Sequence, residues 1–570
     1  MSSNPPGEAV RVRPEDAAEF LAAGLEHHRA ARLAEAEACY RRVLAAQPNH
    51  PDALHLLGLI AQQVRRYDVA VELIGQAIKR NAHPVYYSNL GVALNDQGRL
   101  GEAIAAYRQA ISIKPDFAEA YSNLGNALND QGKLGEAMAA YRQAISIRPD
   151  FPEAHSNLLF CLNDHDKVTN DQLFAAHREW GERYGRQAPR PSTYANVREA
   201  ERRLRIGYVS PDFRLHSVAY FVEPLLKSHD RQTVEVFCYA EVMQPDAMTA
   251  HLQGLADHWL VTIGLSDDEL AERIRMDGID ILVDLAGHTA KNRLRIFTRK
   301  PAPIQVTWLG YPNTTGLEAI DYRLVDAVTD PVGEADAWAS ETLVRLEGGF
   351  LCYGGLKGEL EPAAPPCLKT GTVTFGSFRQ PGAKVGPAAL DAWGKLLAQL
   401  PQARLLLKGR SFADAATRAL FLARLGERGV AAERVELVAS LPDATAHQAV
   451  YHQVDIALDP FPNNGTTTTC EALWMGVPVV TLRGDRHAAR VGASLLSQIG
   501  LTDLIANSVE EYVEVAVALA RNPGRLDDMR RSLRPQLLAS PLCDGRASAR
   551  KIEATFRKMW HRWCQAPGTA

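Results

Sequence analysis

What the sequence lacks narrows its chemistry first. There is no C-x-x-C pair and no His/Cys cluster at zinc spacing; the eight cysteines stand singly, as free thiols of a reducing compartment would. No run reaches the ~18 apolar residues of a membrane span, and the amino terminus MSSNPPGEAVRVRPEDAAEF has no apolar segment suited to a signal peptide. A cytoplasmic protein with no membrane partner is expected. Basic runs are also missing, and with a net charge of −4 and a pI near 6.5, nucleic acid is not an expected partner. GxGxxG, the P-loop and the nucleophile elbow are absent, which argues against a dehydrogenase, an NTPase and an α/β-hydrolase. No Asp-x-Asp follows a strand where it would hold magnesium, so no metal site and no cofactor is expected. Asp455 and Asp459 bracket a strand but alternate with positions that should be buried.

What is present begins with a repeat. Ser88-Asn89-Leu90-Gly91, Ser122-Asn123-Leu124-Gly125 and Ser156-Asn157-Leu158-Leu159 recur every 34 residues, the period of tetratricopeptide repeats. Gly24 and Gly58 extend the series upstream, giving four repeats and the first helix of a fifth over residues 1–165. Small residues let paired helices approach, and tyrosine and leucine fill the gaps between repeats. Asn89, Asn123 and Asn157 share one repeat position, where they would either hold the main chain of a bound peptide or tie one repeat to the next. A helical linker ending in the Pro-rich, basic GRQAPRPSTYANVREAERRLR takes residues 166–203 and marks a domain boundary.

From Leu204 short apolar strands alternate with helical segments, as in parallel α/β sheets. Strands are expected at 205–210, 234–239, 279–285, 304–308 and 322–325, then at 372–378, 403–407, 434–438, 454–458 and 477–482. The chain of 570 residues, too long for one core, thus reads as an all-α repeat superhelix followed by two Rossmann-like domains, 204–362 and 363–544, facing a cleft. A last helix, within 545–570, is long enough to cross back over them.

The stretch VDIALDPFPNNGTTTTCEALWMGVPVVTL, Val454 to Leu482, holds a strand, a loop, a helix and a second strand. Its four threonines, Thr466 to Thr469, fall where the helix begins. They serve either as caps or, with free backbone N–H groups and the helix dipole, as a phosphate site. Glu471, one turn on, can accept hydrogen bonds from a ribose diol. Lys384, ahead of the helix that Pro387 opens, is either a solvated loop lysine or a cation for a departing pyrophosphate. His216 follows the first strand in PDFRLH and is either a capping loop histidine or a proton acceptor or donor. The turn WLGYPNTTG, with Gly310 and Pro312, lets backbone amides approach a sugar or phosphate, or is only a turn.

In order and placement, the segments RIGYVSPDFRLHSV, DGIDILVDLAGHT, KPAPIQVTWLGYPNTTG, FRQPGAKVGPAALDAW and LDPFPNNGTTTTCEALWMGVPVVT make the chain resemble the O-linked N-acetylglucosamine transferases, over nearly its whole length. The resemblance implies a GT-B glycosyltransferase that joins N-acetylglucosamine from UDP-GlcNAc to protein Ser/Thr hydroxyls, with inversion and without a required metal. It places His216 near the sugar, Lys384 on the pyrophosphate, Thr467 and Thr468 on phosphate, His447 stacked on uracil, and Gly310 and Pro312 in the sugar-proximal turn. Gln380 falls with the nucleotide-binding residues, although the Gln380 to Lys384 interval is one residue longer than in animal enzymes. Glu471 stands where those enzymes have an aspartate on the ribose, and Thr466 replaces a histidine. Plant relatives that use GDP-fucose, bacterial ones that put glucose on asparagine, and a non-catalytic repeat scaffold are the alternatives. The acceptor is expected to be a protein or peptide met by the repeat surface.

Overall fold

The computed structural model describes residues 16–566 except 186–190, 192, 357, 359, 380, 440 and 442. Four helix pairs open the chain: Ala17–Arg29 with Leu33–Ala46, Pro51–Gln63 with Tyr67–Arg80, Pro84–Asp96 with Leu100–Ile113, and Ala118–Asp130 with Leu134–Ile147. The repeat period has a steric cause. A Cβ added at Gly24, Gly91 or Gly125 would lie 2.5 Å from the ring of Tyr40, Tyr107 or Tyr141, so glycine on one helix and tyrosine on the next require each other. At Asn89 the repeat-to-repeat tie is the one formed: its Nδ2 donates to His55 Nε2 of the preceding repeat, 2.8 Å away. Burial lowers His55 to about 4, which keeps this ring neutral and able to accept. Asn123 is half-buried at the matching position.

This first compact unit ends at Asp150 and includes the short segment Ala413–Arg418; the rest of the chain forms the second. The helix Pro152–Asn163, which the spacing assigns to a fifth repeat, belongs to the second unit and carries Asn157 half-buried.

The second unit is built on two parallel sheets. The first holds β1 (Leu204–Ser210), β2 (Val234–Ala240), β3 (His258–Val261), β4 (Ile281–Asp284), β5 (Ile304–Thr307), β6 (Tyr322–Val325) and β7 (Thr342–Arg345), in the order β3-β2-β1-β4-β5-β6-β7. The second holds β8 (Thr374–Ser377), β9 (Arg404–Lys408), β10 (Val435–Val438), β11 (Ile456–Leu458), β12 (Val479–Leu482) and β13 (Ile505–Ala506), in the order β10-β9-β8-β11-β12-β13. The apolar runs are the central strands, buried on both faces. Three strands escape the sequence reading because they lie at sheet edges: β3 is exposed at both ends, β7 is partly exposed, and β13 is two residues long. Strand order reverses beside β1 and beside β8, so the loops after β1, β4, β8 and β11 open on the crevices where such sheets bind ligands.

Two helices buttress the first sheet. Asn170–Gly185 meets the turn after β5 backbone to backbone: a Cβ at Gly181 would lie 1.8 Å from the Gly316 carbonyl oxygen, and one at Gly316 2.0 Å from that of His177. Gly545–Gln565 returns over the first sheet, with Glu553 accepting from His229 at 2.7 Å and Trp560 Nε1 donating to the Glu199 carbonyl at 3.0 Å. No described helix is long and apolar enough to cross a membrane.

Because neither backbone at the Gly181–Gly316 contact can yield alone, Gly181→Ala should destabilise the second unit by about 2–4 kcal/mol, seen as a drop of several degrees in its thermal midpoint. Gly426→Ala, with open space around the added atom, should leave that midpoint nearly unchanged.

Candidate active site

The loops after β8 and β11 carry most of the residues singled out from sequence. Thr466 is the residue before the helix Thr467–Trp474 and makes no side-chain cap, so the capping reading of the threonines fails at the position where it should hold. The first intrahelical bond runs from Cys470 N–H to the Thr466 carbonyl, 3.1 Å, leaving the amides of the first turn without helical acceptors at the positive end of the dipole. The hydroxyls of Thr468 and Thr469 close over Gly465, where a Cβ would fall 2.7 and 2.6 Å from them. A cleft runs beside this turn, lined also by Gly376–Arg379 and Asp459.

Asp459 shapes that loop. Its carboxylate accepts from Gly465 N–H at 2.5 Å and from the Thr481 hydroxyl at 2.7 Å. Asp455, at the other end of the strand, accepts from the amides of Cys367 and Thr374. Each aspartate thus ties down backbone, and the described residues hold no group of three or more side chains arranged as metal ligands.

Glu471 is buried and engaged: Oε2 accepts from His447 Nε2 at 3.0 Å and from the Tyr451 hydroxyl at 3.1 Å. On its other side His447 meets Lys408 Nζ at Nδ1. With a lysine donating to Nδ1, the ring presents its Nε2–H to Glu471, so imidazole and carboxylate are fixed together. Phe378 packs 4.3 Å from Tyr451 and 6.3 Å from His447, ring centre to ring centre. Lys408 and Tyr451 were missed in the sequence. Lys408 has one legible signal, a lone cation ending the apolar strand RLLLK; Tyr451 has none.

Lys384 ends the short helix Pro381–Lys384 and lies 5.2 Å above the Phe160 ring. Its charge lowers the pKa of both Asp164 and His216, the latter on the loop after β1 of the first sheet. Gln380 lies outside the described residues. His216 Nδ1 lies 3.3 Å from Val218 N–H and 3.4 Å from Asp212 Oδ1. The two contacts demand opposite tautomers: accepting from Val218 leaves a proton on Nε2, whereas donating to Asp212 leaves Nε2 an acceptor. Burial lowers the His216 pKa, against the pull of Asp212.

In the turn WLGYPNTTG the glycine has a packing cause, since a Cβ at Gly310 would lie 2.1 Å from the Leu285 carbonyl oxygen. Pro312 is half-buried beside it. The Tyr311 hydroxyl between them bonds to Asn163 Nδ2 at 2.6 Å and to His177 Nε2 at 2.7 Å. Asn163 also accepts from Asn313 at 2.8 Å, while its neighbour Asp164 accepts from Asn463 of the threonine loop at 2.5 Å. Adjacent residues of one helix end therefore hold loops of both sheets. Nothing in the sequence marks this pair.

The sequence profile described as Glycosyl transferase family 41 matches residues 186–354 and 367–552, and one described as TPR repeat matches 91–132 and 125–158. The chain is 44% identical over 404 residues to a tomato (Solanum lycopersicum) protein and 42% identical over 410 residues to a barley (Hordeum vulgare) protein. Both are named probable UDP-N-acetylglucosamine–peptide N-acetylglucosaminyltransferase SPINDLY; the matches cover 70% and 71% of this chain and 43% of each relative. The chain thus spans less than half the length of these curated relatives. Among solved structures, a mutant O-GlcNAc transferase of Thermobaculum terrenum is similar with a TM-score of 0.82 and 36% identity, over 97% of this chain and 98% of that one.

Burial raises the Asp459 carboxyl from the ordinary 3.8 to about 7. The folded state therefore holds this proton more tightly than the unfolded chain, and the associated stability, present in full below about pH 4, is lost as pH rises towards 7. Asp459→Asn should remove that loss, so denaturation midpoints of variant and wild type should shift relative to each other, in favour of the variant, by the equivalent of ~2–4 kcal/mol between pH 4 and pH 7.

Proposed function

Because the chain belongs to glycosyl transferase family 41, we propose that it transfers N-acetylglucosamine from UDP-N-acetylglucosamine to serine or threonine hydroxyls of a polypeptide, with inversion and without a metal. The observation that carries this reading is the uncapped first turn at Thr466–Thr469, at the same switch point as Lys384. An anion site of backbone amides, hydroxyls and one lysine suits a diphosphate. These groups stabilise the charge that develops on the departing nucleotide, the work a metal does elsewhere. Glu471, steadied by His447 and Tyr451, takes the ribose hydroxyls, and the face of His447 meets the base. The Gly310–Pro312 turn and His216 approach the sugar, and the helical repeats offer the acceptor its surface.

His216 acts at Nε2. With the Asp212 tautomer it takes the proton of the attacking hydroxyl; with the Val218 tautomer it donates to the sugar and orients it. The base role needs the neutral ring, which the lowered pKa supplies at neutral pH; the orienting role needs only the Nε2 proton.

The test is a calorimetric titration with UDP, GDP, UDP-GlcNAc, UDP-glucose and GDP-fucose, for wild type and Lys384→Ala. UDP and UDP-GlcNAc should bind, and Lys384→Ala should weaken both by roughly tenfold and lower kcat by about 10²–10³. Preference for GDP would move the donor to GDP-fucose, and binding of no nucleotide would leave a peptide-binding scaffold. If His216 is the base, the acid limb of kcat/KM should lie below pH ~6.5 and disappear in His216→Ala. A profile without such a limb in either protein assigns the orienting role.

A further inference from the structure

A second pocket lies away from the threonine turn, between the helix Asn170–Gly185, the loops that follow β5 and β6, and the loop after β12. Its wall carries three arginines, Arg323, Arg486 and Arg490, against two aspartates, Asp330 and Asp485. Arg490 is satisfied by the Gly484 carbonyl and Glu334. The other two are not. Arg323 and Arg486 are 5% and 8% exposed, yet Arg323 Nη2 and Arg486 Nη1 each lack a hydrogen-bond acceptor. Arg323 pairs with Asp330, at 3.6 Å from Nη1, and that carboxylate is shared with His487, 2.6 Å away. Arg486 donates from Nη2 to the Val168 carbonyl and from Nε to Asp485, whose side chain stands largely in solvent.

Buried guanidinium groups with unmet donors are costly and rarely kept without a partner. Arg323 comes from β6 of the first sheet and Arg486 from the loop after β12 of the second, so the pocket's wall takes one guanidinium from each half. A planar carboxylate is matched to one guanidinium fork, whereas the oxygens of a phosphate can serve two. We propose that this pocket binds a phosphate-type oxyanion, distinct from the donor diphosphate, which bridges Arg323 and Arg486 and so ties the two halves together. The proposal is independent of the donor's identity.

The experiment titrates inorganic phosphate, and separately phosphoserine, into wild type, Arg486→Gln, Arg323→Gln and Lys384→Ala, with Arg483→Gln as an exposed control from the same loop. Saturable one-to-one binding should persist in Lys384→Ala and the control, and fall at least tenfold in Arg486→Gln and Arg323→Gln. The ligand that binds tells a free anion from a phosphate carried on a side chain. A rise in thermal midpoint with phosphate over chloride at equal ionic strength should vanish in the same two variants. Unchanged UDP binding by Arg486→Gln certifies its fold, and Arg323→Gln gives the second lesion from the opposite half. No saturable binding, or binding lost in Lys384→Ala and retained in Arg486→Gln, overturns the proposal.

Discussion

The cleft depends on two consecutive side chains. Asn163 and Asp164, at the end of the helix Pro152–Asn163, are buried, and they face different partners: Asn163 bonds to Tyr311 and Asn313 in the turn after β5, and Asp164 to Asn463 in the loop that leads to the threonines. A polar pair kept out of water holds its geometry only while each partner stays in place. The placement of the turn and of the threonine loop is thereby made a property of one helix end. Asp164 shows the cost of that arrangement, since burial raises its carboxyl to about 6 and its second oxygen has no hydrogen-bond partner.

The same device recurs around the cleft. Asp284, at the end of β4, accepts from the amides of Ala286 and Gly287 and the hydroxyl of Thr307, and burial lifts it to about 6. Asp459 does likewise one strand past the switch point of the second sheet. In each case a carboxylate at the carboxyl end of a strand is spent on backbone amides, and the loop that follows is stiffened before any ligand arrives. Stiff loops lower the ordering entropy that binding would otherwise have to overcome.

Much of this architecture was legible because it rests on period and burial. The glycine–tyrosine contacts impose the repeat spacing, and the central strands of both sheets are continuous apolar runs since both their faces are covered. The edge strands β3 and β7 are half in solvent and leave no such run. Of the residues singled out from sequence, the threonines, Glu471, Lys384 and His216 have a motif around them, and the structure places them in the segments that follow β11, β8 and β1. Lys408, Tyr451, Asn163 and Asp164 were not singled out, because their roles come from pairing across 17 to 299 positions of sequence. Gly310 was read either as room for a ligand or as part of a mere turn, and the Leu285 carbonyl supplies a packing reason for it that no local pattern displays.

The interlocked glycines 181 and 316 also bear on how such a chain can be recombined. The helix Asn170–Gly185 is fitted to its neighbour with backbone against backbone, and the helix before it anchors both sides of the cleft. Neither is a spacer, although by sequence the first stands where the linker is drawn and the second where a fifth repeat is. An exchange of repeat arrays between relatives therefore has its natural seam at Asp150–Phe151, where the compact units part, and a crossover placed after residue 165 would import a foreign helix end into the mouth of the cleft.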